Sequence, residues 1–230
     1  MSIQLVVFDI AGTTVKDNQQ VSSVLQKTFS EQGISIPLES IDRVMGYPKP
    51  EAIRLLVEQY EGLTASGNSL YINQLHQYFE QNMIRHYENL TELTEKPHAL
   101  EVFRELRNNH ICVAIDTGFS RPIVNVIFER LNWKTGDTFD ASITSDEVER
   151  GRPFPDMIYK AMQLCGIDDV EKVAKVGDTA SDMQQGKAAG CGLIVGVTTG
   201  SYTKAALETE PHTHLIDDLI ELLPLLNIPC

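Results

Sequence analysis

The stretch Gln4-Leu5-Val6-Val7-Phe8-Asp9-Ile10-Ala11-Gly12-Thr13-Thr14 decides the fold. Leu5 to Phe8 are apolar without alternation, which reads as a strand buried on both faces, as parallel strands of α/β sheets are. The run stops at a carboxylate, and Gly12 then allows a sharp turn. That order puts Asp9 at the carboxyl edge of a sheet, the edge where open α/β sheets hold their ligands.

Two later stretches repeat the design. The apolar run 111–115 leads to Asp116 and Thr117-Gly118, and the run 172–176 leads to Gly177-Asp178-Thr179 with Asp182 close behind. Shorter strand signals lie at 141–144, 192–195 and 213–216. Helical spacing fills 97–109, 120–131, 155–165, 180–189 and 217–226. This alternation predicts a Rossmann-like α/β core of three layers, a parallel sheet between two helix layers. The region 17–87 has no strand signal. It reads as helices at 21–32, 38–45, 50–60 and 69–87, with a polar loop at 62–68. The simplest organisation is a core domain made of 1–16 and 88–230, with an all-helical cap domain of 17–87 inserted after the first strand. Polar segments near 15–20 and 86–92 are the expected hinges.

The chain has 230 residues, enough for one sizeable core and a modest second domain. Thirty-two acids against 19 Lys and Arg give a formal net charge of −13, and no basic stretch occurs, which argues against nucleic-acid binding. The first strand opens within a few residues of Met1, leaving no signal peptide, and no apolar run is long enough to span a membrane; a cytoplasmic protein is expected. Cys112, Cys165, Cys191 and Cys230 match no zinc or redox spacing and are expected as buried or incidental thiols.

The three strand ends share one chemistry, the handling of a phosphoryl group. Asp9 suits a nucleophile that takes the group as an aspartyl phosphate. The turn at Gly12 and Thr13 offers N–H and hydroxyl donors to phosphate oxygens. Thr117 and the Gly118 N–H offer the same one strand away. Asp178 suits Mg²⁺, which asks for hard oxygen donors, and Asp182, one turn further, supports that arrangement directly or through water. Arg152, in the stiff segment Gly151-Arg152-Pro153-Phe154-Pro155, balances crowded carboxylates and phosphate charge. Asp116 reads as an outward-facing turn acid and Trp133 as a filler between helix and sheet. His212 and His214 are weak metal evidence without a third ligand, and Tyr71, Tyr78 and Phe79 read as a helix-packing set.

Together these motifs resemble the haloacid dehalogenase superfamily, whose four motifs match at Asp9-Ile10-Ala11-Gly12-Thr13-Thr14, Thr117-Gly118, Arg152 and Asp178 with Asp182. The resemblance covers nearly the whole chain. It implies a Mg²⁺ site formed by Asp9, the backbone carbonyl of Ala11, Asp178 and Asp182. In ester-cleaving members an acid stands two residues after the nucleophile and protonates the leaving alkoxide, a service worth ~10²–10⁴-fold; here the residue is Ala11. Asp-x-Ala-Gly-Thr, Gly-Arg-Pro and the segment Met45-Gly46-Tyr47-Pro48-Lys49 are similar to the phosphonoacetaldehyde hydrolase branch. That likeness implies that Lys49 forms a Schiff base with an aldehyde, making an electron sink for carbon–phosphorus cleavage, with Met45 lining the pocket. Gly46, Pro48 and Pro50 are expected to form a tight, stiff loop holding Lys49 over the phosphoryl site. The chain departs from that branch at Ala52, Gln19 and Phe119, where His, Cys and Tyr are the family's residues. The readings that stay open are a phosphonatase-like hydrolase, a phosphatase acting on a small monoester, and a phosphate-binding or regulatory protein without turnover. The partner is a small phosphonate or phosphorylated metabolite, and an apolar strip on the cap helices is compatible with a homodimer.

Overall fold

The computed structural model describes residues 2–229. Six strands form one sheet: β1 (Leu5–Phe8), β2 (Cys112–Thr117), β3 (Ala141–Thr144), β4 (Val173–Gly177), β5 (Leu193–Val197) and β6 (His214–Ile216). All pairings are parallel and the order is β3-β2-β1-β4-β5-β6. The first strand of the chain is therefore central. Phe8 is level with Ile115 on β2 and with Val176 on β4, so the residues that follow, Asp9, Asp116 and Gly177, emerge side by side.

The period of two sorts each strand between two cores. Val6, Phe8, Val113, Ile115 and Val176 face one side, where Phe8 meets Phe103 of α6 (Ala99–Asn108) at 5.0 Å between ring centroids. Helix α7 (Arg121–Leu131) packs on the same side, and Trp133 fills the gap among Phe103, Phe128 and Phe139. Leu5, Val7, Ala114 and Ile143 face the other side, covered by Met157, Ile158 and Ala161 of α8 (Asp156–Cys165). Helix α9 (Ala180–Ala189) follows β4, and the single turns α10 (Lys204–Leu207) and α11 (Leu222–Leu225) close the chain. The expected helix at 217–226 is a 3-10 turn running into α11.

Between β1 and α6 the chain is helical: α1 (Gln20–Glu31), α2 (Leu38–Asp42), α3 (Lys49–Glu61), α4 (Leu63–Ser66) and α5 (Ser69–Asn89). The stretch expected as a polar loop at 62–68 holds the short α4, entered through Gly62 at φ 89°. Gly33 ends α1 at φ 80°, a conformation that glycine adopts without a Cβ penalty. The apolar faces of this insertion, including Leu25, Phe29, Leu56 and Phe79, are continuous with the core beneath the sheet through Val15, Val21 and Phe119.

The cysteines depart from expectation. Cys112 at the start of β2 and Cys165 at the end of α8 are joined as a disulfide, with Cα atoms 6.3 Å apart and a sequence separation of 53. The pairing follows from α8 packing across β2, which spacing along the chain does not reveal. Cys191 is free, and Cys230 lies outside the described residues. Among the described residues no helix is long and apolar enough to cross a membrane.

Candidate active site

The site forms at the carboxyl edge of β1, β2 and β4. Asp9 extends the ladder, its N–H donating to Val176 O at 3.0 Å, and the chain then folds back through bonds from Thr14 and Val15 N–H to Ile10 O. Gly12 sits at φ 87°, and a Cβ there would overlap the Asp178 carboxylate. The turn thus needs glycine for both backbone conformation and clearance. Thr13 Oγ1 donates to Asp178 Oδ1 at 2.8 Å, and Thr14 Oγ1 to the Asp9 carbonyl at 2.7 Å. Thr13, expected to meet phosphate, thus fixes the carboxylate that approaches Asp9.

Arg152 is completely enclosed and forks among three acids. One nitrogen lies 2.8 Å from Asp9 Oδ1 and 2.9 Å from Asp182 Oδ1, and the other bonds the carbonyl and carboxylate of Asp116. Asp116 is the clear correction to the sequence reading: it is no surface acid but a fully buried one inside β2. Its second cation is Lys175 of β4, also fully buried, which reaches Asp182 Oδ1 at 3.0 Å as well. Burial would raise the Asp116 carboxyl, but Arg152 and Lys175 outweigh it and hold the group below its ordinary value.

Asp9 and Asp178 go the other way. Burial lifts Asp9 to about 7, with Arg152 pulling down and Asp182 and Asp178 pushing up. Burial, then Asp182, lifts Asp178 to about 6, against the N–H of Ser201 and the hydroxyl of Thr13. These two acids are short of positive charge. Asp9, Asp178 and Asp182 each place an oxygen so that all three lie within 4.8 Å of one another. Hard oxygens, crowding and unmet charge together fit a divalent cation. Asp182 enters as a support: one oxygen accepts Thr179 Oγ1 at 2.6 Å and the Thr179 N–H, while the other faces Arg152 and Lys175.

Above this cluster lies a small cavity of about 30 Å³, room for a water or two. Asp9, Ala11, Thr117, Gly118, Phe119 and Arg152 form its sheet side; Asp17, Val21, Met45, Gly46 and Lys49 come from the helical insertion and its approach. Gly12, Thr13, Asp178 and Asp182 do not line it. Lys49 is the first residue of α3, with Pro50 behind it in the first turn, where its missing N–H costs nothing. The preceding loop presses on the sheet edge: a Cβ on Gly46 would overlap Thr179 and Ser181, and one on Gly118 would lie 2.6 Å from the Tyr47 carbonyl. Lys49 is 3% exposed, and burial lowers its amine to about 8, with Arg152 adding to the fall and Asp9 opposing it. Its Nζ lies 5.6 Å from the centre of the Phe119 ring.

A family model described as haloacid dehalogenase-like hydrolase matches residues 3–190. The chain belongs to the haloacid dehalogenase-like hydrolases. Within that superfamily it falls on the phosphonoacetaldehyde hydrolase-like branch. It is 34% identical over 211 residues to the phosphonoacetaldehyde hydrolase of Latilactobacillus sakei subsp. sakei (strain 23K), covering 86% of this chain and 77% of that one. It is 32% identical over 198 residues to a bifunctional phosphonoacetaldehyde hydrolase/aminoethylphosphonate transaminase of Clostridioides difficile (strain 630), covering 82% of this chain but only 30% of that longer protein. The crystal structure of a phosphonoacetaldehyde hydrolase like protein from Oleispira antarctica superposes with a TM-score of 0.86 at 22% identity, over 99% of this chain and 92% of that one, a likeness of fold.

Sequence reasoning passed over Lys175, misplaced Asp116 at the surface and passed over Asp17. The first two carried a signal: a lysine inside Val173-Ala174-Lys175-Val176 and an aspartate at the end of an apolar strand both require buried partners.

Proposed function

We propose that this hydrolase is a Mg²⁺-dependent phosphonatase that cleaves the carbon–phosphorus bond of phosphonoacetaldehyde or a close relative. The observation that carries the reading is the place of Lys49, a buried amine lowered to about 8, in the same small cavity as Asp9. A lysine attacks a carbonyl only as the neutral amine, and desolvation supplies that form near neutral pH. The substrate named for the relatives above supports the same reading. Ala11 supports it from the other side, since it has no proton to give an alkoxide.

Lys49 adds to the aldehyde carbon, and loss of water gives a protonated imine. Asp9 then attacks phosphorus. The carbon–phosphorus electron pair moves into the imine and leaves an enamine, which takes a proton on carbon and is hydrolysed to acetaldehyde, freeing Lys49. Water releases phosphate from Asp9. Arg152 holds the Asp9 carboxylate and faces the phosphoryl oxygens, and Thr117 with the Gly118 N–H receives them. Asp9, the Ala11 carbonyl and Asp178, supported by Asp182, would hold Mg²⁺, which would supply charge to offset the carboxylates and the phosphoryl group. Met45 and Phe119 wall off bulk water. The cap of 17–87 would swing on the segments near 15–20 and 86–92 to admit substrate, and closure would bring Lys49 down to it.

The test is phosphate release from phosphonoacetaldehyde with Mg²⁺, beside trapping of the imine with borohydride. Turnover, with a reduced adduct mapped by peptide mass to Lys49, is the expected result. Phosphate release without any adduct would remove the imine, and no release above an Asp9→Asn control would remove the reading altogether.

A further inference from the structure

Four titratable side chains line the small cavity: Asp9, Asp17, Lys49 and Arg152. In the proposed reaction Asp9 acts on phosphorus, Lys49 on the aldehyde carbon and Arg152 on charge. Asp17 is left without a task. It stands where the chain leaves the sheet for α1, and its Oδ1 accepts the N–H groups of Gln20 at 2.7 Å and Val21 at 3.2 Å. Its Oδ2 accepts no hydrogen bond among the described residues. The carboxyl is thus anchored through one oxygen and unengaged at the other, on the wall it shares with the amine.

Imine chemistry needs a proton that none of the other three can give. The amine adds to the aldehyde to form a carbinolamine, whose hydroxyl leaves readily only as water. Arg152 does not release its protons at any ordinary pH, Asp9 is committed to phosphorus, and Lys49 is itself the reacting nitrogen. The hydroxyls of Thr117, Thr179 and Ser201, also on the wall, are far weaker acids than a carboxyl.

Resting on the imine reading above, we infer that Asp17 is the acid–base group of the imine steps. Its carboxyl gives a proton to the carbinolamine oxygen. The carbon–oxygen bond breaks, its electron pair leaves with the departing water, and the nitrogen lone pair closes the carbon–nitrogen double bond. When the product imine is hydrolysed, the Asp17 carboxylate takes a proton from the attacking water. Each turnover therefore returns the group to its starting form, and no further reagent is required. Burial raises this carboxyl above its ordinary value, against the pull of the Val21 and Gln20 N–H groups, Lys49 and His86, which keeps a proton on it closer to neutrality.

The experiment separates this role from capping. Asp17→Asn keeps an oxygen able to accept the Gln20 and Val21 N–H groups, so α1 retains its cap, but it has no proton to exchange in this range. Phosphonoacetaldehyde is mixed with enzyme and borohydride, and adduct growth on Lys49 is timed beside phosphate release. Expected for D17N is a loss of about 100-fold or more in both rates, with inorganic phosphate binding by calorimetry unchanged; D17E is expected to recover to within about tenfold of the parent. Adduct growth in D17N at the parental rate overturns the inference and leaves the lysine reading standing. A parent enzyme that forms no adduct on Lys49 overturns the lysine reading, and the inference with it. Should Asn at this position unfold the chain, D17S, another capping side chain without a titrating carboxyl, takes the same test.

Discussion

The two walls of the cavity are built on opposite principles. On the sheet side, acids are fixed by shared cations: Asp9, Asp116 and Asp182 share Arg152, and Lys175 bridges the last two, while Asp9 and Asp178 stay short of positive charge. On the helical side the only cation is Lys49, which makes no ion pair among the described residues and has an aromatic ring nearby instead. A paired charge in a buried network is fixed in position. An unpaired amine out of water gives up its proton and becomes a nucleophile. The sheet side is suited to hold a phosphoryl group, and the inserted side to choose what that group is attached to.

The largest test strikes the sheet side. Asp9→Asn is expected to cost on the order of 10⁴-fold or more in turnover of any substrate, because a nucleophile is removed outright. Phosphate release under saturating Mg²⁺ measures it. Lys49→Arg strikes the other side and sharpens the contrast. Arginine keeps the charge but not a neutral amine, so turnover of phosphonoacetaldehyde is expected to fall by about 10³-fold or more, with the borohydride adduct lost. Phosphate binding by calorimetry should stay within about threefold of the parent, a change of less than about 1 kcal/mol. If phosphate binding collapses as well, the two walls are one unit and the division of labour is wrong.

How much of this could be read from the sequence differs between the same two regions. The strands and the acids at their ends were legible because a short apolar run closed by Asp and Gly has few other uses, and the parallel sheet then sets Asp9 beside β2 and β4. Helix existence was legible in the insertion too, but α4 was lost because Leu63-Thr64-Ala65-Ser66 is too short to show a period. The charge network was not legible as a network. Asp116 and Lys175 are 59 residues apart, and only the register of β2, β1 and β4 brings them together. Thr13 was read as a phosphate donor from its turn, whereas its hydroxyl is engaged by Asp178 across the sheet edge. Cys112 and Cys165 meet for a similar reason, a helix lying back over a strand.

The pH profile tests the state of the amine. Burial puts Lys49 at about 8, below the ordinary lysine value, so the neutral form is lost as pH falls through that point. Acylation of Lys49 by an uncharged reagent, which needs only the neutral amine, is therefore expected to slow by about tenfold per pH unit below 8 and to level off above it. A profile still rising tenfold per unit between pH 9 and 10 would mean the amine is solvated and ordinary.

Phe119→Leu is the finest probe of the same contrast. The ring lies 5.6 Å from Lys49 Nζ, a distance at which the π face favours the charged ammonium over the neutral amine. Such a contact is worth about 0.5–1 kcal/mol, which converts to roughly 0.4–0.7 of a pKa unit. Leucine fills much of the same volume without the quadrupole, so the amine should lose its proton more readily. The low-pH limb is then expected to move toward acid by about that amount, with the plateau changed by less than about threefold. The direction decides the argument. A limb that moves toward alkaline pH would mean that Phe119 acts chiefly by excluding water from Lys49, since a better-solvated ammonium holds its proton longer, and the unpaired state of the amine would then depend on the seal between the two walls rather than on the helical side alone.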